Sequence, residues 1–334
     1  MQEIQIPRPI IQSQTILMVS FVAACAILAA LVGVFPLQLS IISVFLFAGA
    51  HNLTEFRYFV ARMPVRWGRS KLYYTVGIGG VIALTAFYLT IYFMSGNWLW
   101  SAASWTLFVC GWNTAFIVWV GSLIHLRGLQ KPKSDWSWGL FAAFALAAVG
   151  WMVPSYFGLS IVYLHPFIAM WFLERQIRRT KPEWLRAYHL CLASIPICLI
   201  ILWAALAQQP NLPEDTNLFW RINQHSGSGV LPEISSHLLV ATHVFLETIH
   251  YSVWILLIPL VDPRAIPWRL NEIPLLANRN GVPKLVTVAL ALGALAVVVL
   301  WGGFMVDYTT TRDLYFAFAI AHVMAEFPFL IKMM

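Results

Sequence analysis

Runs of about 20 apolar residues recur along the whole chain, separated by short polar breaks, and each run is long enough to cross a bilayer as a helix. Ten spans can be drawn, at 15–35, 37–60, 72–94, 98–124, 136–157, 159–177, 186–206, 232–261, 285–306 and 313–331. The first, Thr15 to Phe35, is too long for a signal-peptide core and lacks a basic leader, so it is expected to be a retained span. The pattern predicts an all-α, polytopic transmembrane bundle, a single integral membrane domain over residues 1–334, with no boundary for a second domain.

Connections on one side are short: Ser95–Asn97, the region around Gly158, and Asp307–Arg312. The exception is 207–231, polar and rich in Gly, Pro and Ser, which ends at Pro232, a residue suited to the first turn of a helix. On the other side, 262–284 carries Pro263, Pro267, Pro274 and Pro283 among apolar residues and is expected to lie along the headgroups.

Polar residues inside the spans form a pattern of their own. Three times a histidine is followed four residues later by a glutamate: His51–Glu55, His243–Glu247 and His322–Glu326. The second pair extends to His250, and positions i, i+4 and i+7 share one helix face. With nine His and nine Glu in the chain, random placement gives well under one such pair. A carboxylate inside a span costs roughly 2.5–3.5 kcal/mol on insertion scales, so three of them need a reason. A weak echo relates AHNLTEFRYFV at 50–60 to AHVMAEFPFLI at 321–331, without extending into a full repeat.

The charge places the spans. The chain is 60% hydrophobic and 10% charged, where soluble domains carry about 25%. Its net charge of +7 could suggest nucleic acid, but nineteen of the 21 basic residues fall on one side of the drawn topology. These are Arg8, the clusters Arg57–Lys71, Arg127–Lys133, Arg175–Arg186 and Arg264–Lys284, and Lys332; only Arg221 and Arg312 fall opposite. The positive-inside rule then puts both termini in the cytoplasm of what is expected to be a bacterial inner membrane, and nucleic acid is not expected as a partner. Cys25, Cys110, Cys191 and Cys198 all lie in apolar segments without a CxxC, which points to packing.

In this topology spans two, six, eight and ten run in the same direction. His51, His165, His250 and His322 then lie 10–12 residues before the inner charged boundary, roughly 15–18 Å above it at 1.5 Å per residue. Glu55 and Glu326 fall one turn further in, and Glu247 and His243 one and two turns further out. The layer predicts a metal site whose ligands are drawn from His51, Glu55, His165, His243, Glu247, His250, His322 and Glu326. Glu-x-x-His on one helix is the spacing of di-iron carboxylate bundles. One or two non-haem iron ions suit this donor set better than structural zinc, which closes at four ligands; zinc, copper and manganese remain open.

The plainer alternative is that each polar group hydrogen-bonds a neighbouring helix. It is preferred for His165 taken alone and for His125 beside Arg127, and it weakens for three pairs at related depth. His189 and His225 read as interfacial, and His237 as facing away from His243. Trp98, Trp105, Trp112 and Trp119 form one stripe with Trp100 at the interface; packing or lipid contact is the preferred reading, a wall for a flat apolar substrate the other. Pro154, Pro166, Pro196, Pro259 and Pro328 are expected to kink or interrupt helices, with His165 at such a break. Asn52-Leu53-Thr54 matches a glycosylation site but lies within a span. There is no HExxH, Walker loop or GxGxxG, no clustered HxxxH or HxxHH box of the membrane desaturases, and no lysine within a span for a retinal Schiff base.

Three functions are weighed. The first is a membrane-embedded metal-dependent oxidoreductase acting on a lipophilic substrate such as an isoprenoid, carotenoid or fatty acyl chain, which would also need an electron donor. The second is a proton-coupled transporter with an intramembrane His/Glu relay, against which stands the lack of an inverted repeat. The third, a haem protein with two axial His, leaves three buried Glu unexplained.

Overall fold

The computed structural model describes residues 13–94, 101–131, 136 and 138–334. Arg8, the Ser95–Asn97 connection, Trp98, Trp100 and Lys133 lie outside the described residues. In chain order the α-helices are α1 (Gln14–Val34), α2 (Pro36–Val60), α3 (Lys71–Met94), α4 (Ala102–Gln130), α5 (Trp138–Met152), α6 (Pro154–Thr180) and α7 (Leu185–Leu206). They continue with α8 (Asn217–His225), α9 (Ser236–Ser252), α10 (Ile258–Val261), α11 (Pro274–Ala277), α12 (Pro283–Val306) and α13 (Tyr308–Met333). No strand occurs among the described residues. Nine helices among them are long and apolar enough to cross a bilayer, and the chain is an integral membrane protein.

The fifth drawn span, 136–157, holds the 15-residue α5 and the first residues of α6. At 1.5 Å per residue α5 reaches about 22 Å, short of the ~30 Å hydrocarbon core. The break falls at Val153 instead of Gly158, because Pro154 opens α6 where its missing N–H costs nothing and biases the residue before it away from the helix. Pro166, expected to interrupt, lies inside an unbroken α6, and Pro196 and Pro328 likewise lie inside α7 and α13. Around Pro259 the chain takes another route: a π turn, Val253–Leu257, joins α9 to α10. Proline at 259 cannot donate to the carbonyl four residues back, and widening the preceding turn accommodates its ring.

Two compact units are formed, the first from the described residues of Met1–Met63 with Val162–Thr309, the second from those of Pro64–Ile161 with Thr310–Met334. In the first, α9 is central: it packs on α1, α2 and α7, and 61% of its spanning window is buried against 11% for α12, whose apolar residues face outward. The segment 207–231, read from sequence as a loop, holds α8, capped by Thr216, whose hydroxyl accepts from Phe219 N at 3.2 Å. Asn211 Oδ1 accepts from Ser236 N at 2.8 Å and Ser236 Oγ from Leu212 N at 2.9 Å, tying this segment to the start of α9. The 262–284 segment becomes two 3₁₀ turns, Pro263–Ala265 and Leu270–Glu272, followed by α11.

In the second unit α4 packs against α3 and α5. The tryptophan stripe is part of that packing: Trp112 Nε1 donates to Leu84 O and Trp119 Nε1 to Val76 O, both at 2.9 Å. A buried indole needs such a partner, and each contact closes α4 onto α3. Gly80 on α3 makes the approach possible, since a Cβ there would overlap the Trp119 indole. Trp105, nearer the start of α4, is exposed.

Candidate metal centre

The centre of the first unit is polar where its surroundings are apolar. His51 and Glu55 sit on successive turns of α2, and His250 lies on the adjacent α9; all three are buried. One ligand atom from each of His51, Glu55 and His250 lies within 4.8 Å of the others, close enough for one ion to reach all three. His165, from α6, brings a ring nitrogen within the same distance of one on His250. The ring centroids of His51 and His250 are 5.2 Å apart and those of His165 and His250 4.4 Å apart. The helices thus bring these three histidines, expected at related depth, side by side.

Local geometry sets the donor atoms. His51 Nδ1 lies 3.1 Å from Phe47 O, and a carbonyl can only accept, so Nδ1 carries the proton and Nε2 presents the lone pair. Metal-binding histidines are oriented in this way, one nitrogen to the ion and the other to an acceptor. The Tyr251 ring lies 4.3 Å from that of His51, and its hydroxyl donates to Glu247 Oε1 at 2.6 Å. Glu247 is one turn before His250 on the same helix, and it is buried. Its Oε2 has no hydrogen-bond partner among the described residues. A buried carboxylate oxygen left so is costly unless a cation or proton meets it.

His243 is two turns along α9 from His250, and its ring neighbours are others than the histidines of α2 and α6. Its ring stands 5.0 Å from that of His225 at the end of α8 and 6.1 Å from that of Tyr163. Tyr163 itself donates to Ser226 O at 2.9 Å and Leu239 O at 3.1 Å. His225, read as interfacial, is thus carried to α9 by a helix that no apolar run announces. His237 donates from Nε2 to Gly33 O at 3.0 Å, as its different face predicts. His189 is half-exposed, 3.8 Å from Glu174, and His125 is exposed on α4. His322 and Glu326 lie one turn apart on α13 in the second unit, with Glu326 buried; there Tyr73 Oη donates to Pro328 O at 2.6 Å.

Below the histidines, toward the charged end of α2, an aromatic cluster closes the first unit. Trp254, in the π turn, packs its ring 5.2 Å from Tyr58, 5.7 Å from Phe59 and 5.5 Å from Phe172. Trp254 lies four residues after His250 and packs against the same two helices, α2 and α6, one turn nearer the charged end.

At the end of the unit, outside the spans, Asp262 is held below the ordinary carboxylate range. Burial, the largest influence, pushes it up, but hydrogen bonds from the Arg264 side chain and backbone N–H, with the charges of Arg264 and Arg179, outweigh it.

No protein-family model, curated protein or solved structure matches the chain.

Proposed function

We propose that the first unit is a membrane-embedded metalloenzyme, an oxidoreductase dependent on non-haem iron and acting on a lipophilic molecule such as an isoprenoid, carotenoid or fatty acyl chain. The carrying observation is the convergence of His51, Glu55 and His250 within 4.8 Å of one another in a buried, apolar bundle. Two imidazoles and a carboxylate are the donor set of open-sided non-haem iron sites, which leave coordination positions for other ligands. His165 and Glu247 are the next donors outward. Bound there, the ion supplies redox and Lewis-acid chemistry. The chain's own share is to fix the His51 tautomer through Phe47 O, hold Glu247 through Tyr251, and keep bulk water out with the Tyr58–Phe172–Trp254 cluster. Basic clusters at Arg57–Arg62, Arg175–Arg186 and Arg264–Lys284 support a cytoplasmic orientation for that end of the unit.

Consumption of dioxygen by the iron-loaded, detergent-purified protein tests this reading. The assay supplies a chemical reductant and a panel of carotenoid, isoprenoid and acyl lipids. Substrate-dependent uptake that disappears in His250→Ala supports it; uptake that the variant retains, or none with any lipid, contradicts it.

One observation favours a second reading, a proton-coupled carrier: His243, Glu247 and Tyr251 follow one face of α9, with His225 beside the first. Proton-driven solute uptake in proteoliposomes, abolished by Glu247→Gln with metal content unchanged, would establish it in place of the enzyme.

A further inference from the structure

Four arginines and two carboxylates surround a small cavity of about 180 Å³ at the charged end of the first unit: Arg57, Arg62, Arg179, Arg264, Asp262 and Glu272. The Asp262 carboxylate is already engaged. It accepts from Arg264 N and Nε at 3.0 Å each, from Arg264 Nη2 at 3.4 Å, from Arg179 Nη2 at 3.3 Å and from Gln176 Nε2 at 2.7 Å.

Arg57 and Arg62 have only neutral hydrogen-bond partners. Arg57 is 2% exposed; its Nη2 donates to Arg264 O at 2.6 Å and Arg269 O at 2.8 Å, while its Nε has no hydrogen-bond partner among the described residues. The Arg62 guanidinium lies 3.2 Å over the Tyr58 ring and donates to Gln176 Oε1. Burial pulls it down to about 10, the sign of a cation held without a fixed counter-ion. The lining therefore carries two positive charges more than its carboxylates offset, and part of that charge is buried.

We propose that this cavity binds a phosphate group. Guanidinium forks match phosphate oxygens in geometry and charge, and Arg57, which lines the cavity, keeps one donor, Nε, without a hydrogen-bond partner among the described residues. The volume lies below the roughly 300 Å³ at which drug-sized pockets begin, so the phosphate enters alone, with whatever it esterifies left outside. Two sources present that chemistry at a membrane surface: the headgroup of an anionic phospholipid, and a soluble phosphate or phosphate ester. The site stands apart from the histidine layer and does not depend on the metal reading.

Full-length protein in nanodiscs of phosphatidylcholine with and without phosphatidylglycerol, examined by native mass spectrometry, tests the lipid source. Titration of detergent-purified protein with inorganic phosphate, followed by thermal shift, tests the soluble one. Arg57 anchors two backbone carbonyls and its loss could unfold the segment, so Arg62→Gln and Glu272→Gln are the informative variants. Binding in at least one arm is expected to fall tenfold or more in Arg62→Gln and to rise severalfold in Glu272→Gln, where a competing anion is removed. Retention of phosphatidylglycerol without a response to phosphate assigns the headgroup; a phosphate response without lipid retention assigns the soluble ester. No binding in either arm, or binding that neither variant changes, overturns the proposal.

Discussion

The imidazoles of His165 and His250, carried by helices α6 and α9, stand 4.4 Å apart between ring centroids with their planes 45° apart. His250 also faces His51, at 5.2 Å, and so joins the histidines of α2 and α6. Two imidazoles so close inside an apolar bundle cannot both carry a charge, and a shared cation lets both stay neutral and act as ligands. From this shared position, His250→Ala is expected to lower bound metal more than His165→Ala does. Metal content per chain, measured on the two variants after identical purification, checks the order; equal losses would remove His250 from its central place.

The Tyr251 hydroxyl is the hydrogen-bond donor to Glu247 Oε1. Tyr251→Phe leaves that buried oxygen unmet and is expected to destabilise the unit by about 1–3 kcal/mol. Glu247→Gln in the same background should cost less than in the parent, because the two residues share one interaction. Detergent unfolding of the two single variants and the double variant closes the cycle, and strictly additive costs would show that the contact contributes nothing.

Much of the site could be read from residue spacing. His51–Glu55 and Glu247–His250 are spacings that an α-helix enforces, and burial of these residues follows from the apolar runs around them. The neighbour of His243 was beyond reach: His225 arrives on α8, a nine-residue helix that no long run of apolar residues reveals. The aromatic cluster was hidden for a different reason. Tyr58, Phe59, Phe172 and Trp254 are aromatic residues among many in apolar runs, and nothing in their spacing marks which of them meet across α2, α6 and α9. The boundary between the fifth and sixth spans was drawn near Gly158 and falls at Val153, because Pro154, expected to kink or interrupt a helix, opens α6 and leaves α5 short.

Gly80 and Gly79 separate packing from backbone propensity on a single helix. A Cβ at Gly80 would overlap Trp119, whereas one at Gly79 meets nothing within 4 Å. Gly80→Ala is expected to cost about 1–3 kcal/mol through overpacking between α3 and α4, and Gly79→Ala to be neutral or slightly stabilising. Thermal unfolding of the two variants in detergent distinguishes them; equal midpoints would mean that the α3–α4 approach is looser than described.

Asp262 predicts a pH dependence with a definite sign. Its folded-state pKa is depressed by the Arg264 hydrogen bonds and by the Arg264 and Arg179 charges, so the folded state favours the ionised form. The stabilisation is fully present above the unfolded-state value, about 3.9, and is lost as pH falls through the lower folded-state value. The parent is thus expected to lose thermal stability more steeply than Asp262→Asn as pH is lowered from 6 toward 3. Parallel curves would show that the Arg264 and Arg179 contacts contribute no linkage.

The most direct measurement is the transition-metal content of protein purified in detergent without added chelator, by elemental analysis per chain. A site held by His51, Glu55 and His250 predicts iron at one or two equivalents in the parent and a large loss in both His51→Ala and His250→Ala, with folding retained. A parent that carries no iron, copper, manganese or zinc near stoichiometry, even after anaerobic incubation with ferrous iron, would contradict the account.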